Sequence, residues 1–173
     1  MDKTIDVNIE VQYLCIDQKY IRGIPYYIIN LLRKLIDRNV DRYTVSFCDR
    51  NRERNNISYL KNTIGDFVPE DRIKESNELD YRWISTARRT GDASTYNIKS
   101  YGEYFGISAD VYHFPSSLCI PENVEAPMVV TVHDVIPFVP GLKNELKDTV
   151  IEEFRASMKY IKEKRILCMA DSQ

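Results

Sequence analysis

A β-branched run, an amphipathic helical stripe and a second β-branched run fill the first 49 residues, and that succession constrains the fold more than any other feature of the sequence. "IDVNIEVQYLCI", residues 5–16, alternates and is rich in Ile and Val, which predicts a strand. "DQKYIRGIPYY" follows as a loop carrying Gly23 and Pro25. From there Ile24, Ile28, Leu31, Leu32, Leu35 and Ile36 recur at three- and four-residue steps, with Arg33, Lys34, Asp37 and Arg38 outside the stripe. Pro25 suits the first helical turn, where its missing N–H costs nothing. "RYTVSFCD", residues 42–49, predicts a second strand. Strand, helix and strand in that order imply a parallel pair joined by a right-handed crossover.

Residues 50 to about 108 are polar and charge-dense, with a short helix expected around Ser58 to Ile64, a turn at "TIGDFVPEDRI" and a mobile loop at "STARRTGDAS". Ile98, Tyr101, Tyr104 and Phe105 share one helical face, so a helix returns the chain to the core. "ADVYHFP" and "PMVVTVHD" then read as strands ending at His113 and at His133 and Asp134. A long helix carries Leu146, Val150, Phe154, Met158 and Ile161 on one stripe, and "RILCMADSQ" begins a last strand. The implied fold class is an α/β, Rossmann-like three-layer domain with a mainly parallel sheet.

Composition narrows the functional classes. With 173 residues, 43% of them hydrophobic, the chain suits one domain spanning residues 1–173. A net charge of −2 leaves no basic field to hold nucleic acid or an anionic membrane across the whole surface. Cys15, Cys48, Cys119 and Cys168 are scattered without a CxxC pair and read as reduced core residues, which implies a cytoplasmic protein. The N-terminus lacks the layout of a signal peptide, and no apolar run approaches the ~20 residues of a membrane span. Peripheral contact with the inner face of the plasma membrane stays compatible with this composition.

The two histidines of the chain each fall at the carboxyl end of a predicted parallel strand, the edge where open α/β sheets bind ligands. Gly23, between the first strand and its helix, belongs to the same edge. Each signal also has a plain structural reading: a satisfied imidazole at a strand end, a turn-forming Asp134, a glycine serving a tight turn. The dinucleotide fingerprint G-x-G-x-x-G is absent, which disfavours a nucleotide-dependent oxidoreductase; so are a zinc-ligand spacing, a P-loop and the G-x-S-x-G elbow of a hydrolase. Tyr26, Tyr27 and Tyr112 stand close to the rim and suit sugar or base stacking.

"RGIPYYIINLLRKL", "DVYHFPSSLCIP", "VVTVHDVIPFVP" and the helix with Phe154 running to "ADSQ" resemble, in order and spacing, the amino-terminal domain of retaining glycosyltransferases of the GT-B fold. The resemblance covers both ends of the chain and passes over residues 50–95, which it marks as a variable acceptor region. It implies an acceptor-side domain of an enzyme that moves a sugar from a nucleotide-sugar donor to a glycan or lipid-linked acceptor in cell-surface polysaccharide synthesis. It places His133 as the catalytic candidate facing the transferred sugar, and His113 and Asp134 in the cleft. Gly23, Ile24 and Pro25 match the loop that meets the donor phosphates, although proline removes one N–H from it. No metal or other cofactor is expected. The resemblance implies a second, donor-binding domain, about 150–200 residues long, with a pair of glutamates that holds the donor; Glu145, Glu152 and Glu153 belong to the helix of the first domain instead, so this chain alone is expected to be inactive.

On the acceptor side, Tyr26 and Tyr27 offer stacking surfaces, and Arg88 and Arg89 offer charge for an anionic acceptor against the plainer reading of a solvated loop. Without a partner domain, the cleft face around Tyr26, Tyr27 and Phe138 is expected to be exposed. The rival from another class is a stand-alone Rossmann-like module that binds a glycan or a protein without catalysis.

Overall fold

The computed structural model describes residues 4–15, 23–48, 60, 62–76, 99–118, 120–133 and 148–170. Six strands, β1 (Val7–Glu10), β2 (Tyr43–Cys48), β3 (Ile73–Ser76), β4 (Val111–Phe114), β5 (Met128–Val132) and β6 (Leu167–Ala170), form one sheet of order β3-β2-β1-β4-β5-β6. Every pairing in it is parallel. Among the described residues, helices α1 (Ile24–Asp37), α2 (Tyr101–Phe105) and α3 (Asp148–Lys164) accompany it, and residues 60 and 62–64 are also helical, within the short helix expected there. The domain is Rossmann-like, with helices on both faces of the sheet.

Register decides which side chains share a face. Ile9 is aligned with Val45 and His113, and Val129 with His113, so these residues project to one side. There Ile9, Val11, Val45 and Phe47 pack with Ile28 and Leu32 of α1 and with Leu60, Ile64 and Val68. The opposite face carries Tyr112, Phe114 and Val130, which pack with Tyr101 and Phe105 of α2 and with Tyr160 and Ile161 of α3. β4 and β5 are nearly continuously apolar because both their faces are covered, whereas β1 alternates because its second face carries the buried polar residues Asn8 and Glu10.

Several expectations are corrected in detail. The first strand stops at Glu10 rather than Ile16, because the Glu10 carboxylate accepts the Gln12 N–H at 2.6 Å and Leu14 N–H bonds back to Val11 O at 2.9 Å. This side-chain bond competes with the ladder and turns residues 12–15 into a 3₁₀ helix. β3 has no counterpart in the sequence reading: "IKES" is a short, polar edge strand, and edges carry charge to discourage further pairing. On α3 the buried positions are Ile151, Phe154, Ser157, Tyr160 and Ile161, so the stripe is rotated from the expected one and Val150 and Met158 are only half-buried. Tyr160 sets this rotation by donating its hydroxyl to Glu122 O at 2.9 Å. Cys168 lies in β6 as expected but is exposed rather than in the core, since β6 is an edge with Leu167 64% exposed.

The second helix begins with a capping box. Ser100 Oγ accepts the Glu103 N–H, and the Glu103 carboxylate accepts the Ser100 N–H. Gly102 in its first turn is demanded by space, because a Cβ there would stand 2.5 Å from Ile107 O and 2.7 Å from the Tyr112 hydroxyl.

Candidate functional site

Strand order reverses between β1 and β4, and the carboxyl ends of strands at such a switch point border a crevice. β4 brings His113 to that rim and β5 brings Thr131, with His133 immediately beyond it. Residues 129, 131 and 133 alternate onto the α1 side of the sheet, so the imidazole of His133 meets the first turn of α1. Gly23 is the N-cap of that helix at φ 60°, a backbone setting that a residue with a Cβ adopts only at a cost. Pro25 lies buried in the first turn and supplies no N–H, while Tyr27 N–H bonds back to Gly23 O at 3.0 Å.

One turn into α1, Tyr27 reaches down onto the strand ends. Its hydroxyl is 3.2 Å from Thr131 Oγ1, which in turn lies 2.8 Å from His113 Nε2. Its ring stands edge-on to both imidazoles, with centroids 4.8 Å from His133 and 6.4 Å from His113. Thr131 is 1% exposed and His113 6%, so the two strand-borne members of this chain are desolvated while Tyr27 is half-buried. Burial first, and then the neighbouring His133, lower the His113 pKa to about 4, which leaves its ring neutral near neutral pH.

His133 Nε2 lies 2.7 Å from the Pro115 carbonyl. A carbonyl oxygen only accepts, so Nε2 carries the proton and Nδ1 is the acceptor nitrogen of the neutral ring. The two imidazoles are thus held differently, one against a backbone acceptor and one against a hydroxyl.

The structure therefore brings together His113, His133, Tyr27 and the Gly23–Pro25 turn. Tyr27 is half-buried and turned inward rather than displayed as a stacking surface, whereas Tyr26 beside it is 61% exposed on the rim. Tyr112, expected near the rim, lies on the opposite face, fully buried, with its hydroxyl on Glu125. Asp134, Arg88, Arg89 and Phe138 lie outside the described residues. Thr131 and the Pro115 carbonyl were not anticipated; a threonine within a β-branched strand and a main-chain oxygen leave no mark in a sequence.

Glu10 was also missed. It is 1% exposed at the carboxyl end of β1 but projects to the face away from α1. On that face Asn8 Nδ2 donates to Thr44 Oγ1 at 2.9 Å, Ser46 Oγ donates to Asn8 Oδ1 at 2.8 Å, and Tyr101 OH lies 2.8 Å from Ser46 Oγ. A separate cleft of about 520 Å³ lies at the amino edge among Met128, Tyr160, Lys164 and Ile166, remote from both imidazoles.

No protein-family model matches the chain, and no curated protein matches it. Among the described residues no group of three or more His, Cys, Asp and Glu is placed to hold a metal ion, and no helix is long and apolar enough to cross a membrane.

Proposed function

We propose that this chain is the acceptor-side domain of a retaining, GT-B-type glycosyltransferase that moves a sugar from a nucleotide-sugar to a glycan or lipid-linked acceptor. The observation that supports it is the pair of differently held imidazoles at the carboxyl ends of β4 and β5, under the N-terminus of α1 and beside the switch point. In this reading His133 meets the transferred sugar, and its fixed tautomer gives the hydrogen bond a defined direction. Neutral His113 and Thr131 form the dry floor beneath it, and exposed Tyr26 provides an aromatic face for a sugar ring at the mouth. The donor nucleotide is held by a second Rossmann-like domain.

The test is to read the gene beyond the codon for Gln173 and to assay the whole product. A second Rossmann-like half with paired glutamates is expected, together with transfer that falls about 10²–10⁴-fold on His133→Ala. A stop codon there, with saccharide binding but no transfer, replaces this reading with that of a glycan-binding module.

A further inference from the structure

The tyrosine expected to stack on a ligand is turned toward the protein. Tyr27 touches both imidazoles edge-on and hydrogen-bonds Thr131, whose hydroxyl also serves His113. Two anchors therefore fix the tyrosine: its place in the first turn of α1, and a hydroxyl contact to the floor of β5. Its ring closes one side of His133, and the Pro115 carbonyl holds Nε2.

We propose that Tyr27 is a positioning residue for His133, a wall whose ring selects the imidazole's orientation and hence the nitrogen that accepts. The hydroxyl contributes indirectly, by tethering that wall to Thr131. A carbonyl bond lets a ring tilt about its Nε2 anchor, and the aromatic edge contact at 4.8 Å opposes that tilt. Tyr26 and Tyr27, adjacent in sequence, thus have opposite duties: one faces solvent, the other faces the imidazoles. The proposal rests on the glycosyltransferase reading only in taking His133 as the working group of the site.

Having only two histidines makes the test direct. The ¹⁵N-labelled 173-residue chain is examined by long-range proton–nitrogen correlation in alkaline buffer, each ring being assigned with His113→Gln and His133→Gln. Wild type is expected to show His133 protonated at Nε2. Tyr27→Phe keeps the wall and loses the tether, so His133 stays as in wild type while the nitrogen shifts of His113 move. Tyr27→Leu keeps apolar volume without an aromatic edge, and the ratio of the two His133 tautomers is expected to shift about fivefold toward the Nδ1–H form.

A purely structural tyrosine lowers the unfolding midpoint in both variants and leaves the His133 tautomer as in wild type. That result overturns the proposal, as does a Tyr27→Phe variant that disturbs His133 as much as Tyr27→Leu. No sugar, nucleotide or turnover enters the readout, so it stands or falls separately from the transferase reading.

Discussion

The two edges of the sheet are held by opposite means. At the amino edge, Arg42 donates through Nε and Nη2 to Asp6 at 2.6 and 2.5 Å and through Nη1 to Thr4, while Asp6 N–H bonds to the Asp110 carboxylate at 3.0 Å. This clamp is formed from charged side chains about 40% exposed. At the carboxyl edge, on the α1 side, the polar groups are imidazole, phenol and hydroxyl side chains, with His113 and Thr131 buried. Water screens the first arrangement and is excluded from the second, so a similar number of hydrogen bonds has unequal consequences. The clamp aligns β1, β2 and β4 at little cost. The rim keeps unscreened dipoles in fixed positions, which is what recognition or catalysis requires.

The largest effect expected from this difference is an acid-sensitive loss of stability at the carboxyl edge. In the unfolded chain His113 takes a proton near its ordinary value of 6.5, whereas in the folded chain it resists until about pH 4. The unfolded state therefore binds more protons within that window, and stability falls as pH falls through it. The full difference is roughly 3 kcal/mol, expressed below about pH 4. Urea titrations across the window should show this slope, and His113→Gln should flatten it. An unchanged slope breaks the contrast between the edges.

Next in size is the packing beneath α2. Gly102→Ala pushes a methyl group against Ile107 O and the Tyr112 hydroxyl, and should cost about 1–3 kcal/mol by chemical denaturation. Burial and the Glu125 carboxylate also raise the Tyr112 phenol above its ordinary value, so spectrophotometric titration should find this tyrosine ionising later than an exposed one, with the distinction lost in denaturant. The smallest effect belongs to the clamp. Arg42→Ala should shift the unfolding midpoint little, and less still in high salt, since both side chains of the Arg42–Asp6 pair are open to water. A large, salt-independent loss would show that the amino edge is held as firmly as the rim.

These contrasts also explain what could be read in advance. β4 and β5 announce themselves by nearly unbroken apolar runs, β1 and β2 by alternation of apolar with polar residues, and α1 by its 3.6-residue stripe. β3 is silent because an edge strand has one paired side and "IKES" carries a single apolar residue, too few to make a run or an alternation. The rim was legible through His113 and His133, whose position after apolar strands is unusual chemistry in a plain place. Their partners were not: Thr131 resembles any β-branched strand residue, and Tyr27 is indistinguishable by type from Tyr26. Only the angle at which α1 crosses the strand ends tells an inward ring from an outward one.

The bond from His133 to Pro115 carries one more consequence. Its acceptor is main chain, so replacing the side chain at position 115 leaves the acceptor atom in place. What the site holds constant is the path of the segment from Phe114 to Met128, and therefore its length. Relatives of this chain should tolerate a change of side chain at position 115 better than an insertion or deletion between Phe114 and Met128, since chain length there, and not the identity of residue 115, carries the acceptor to the imidazole.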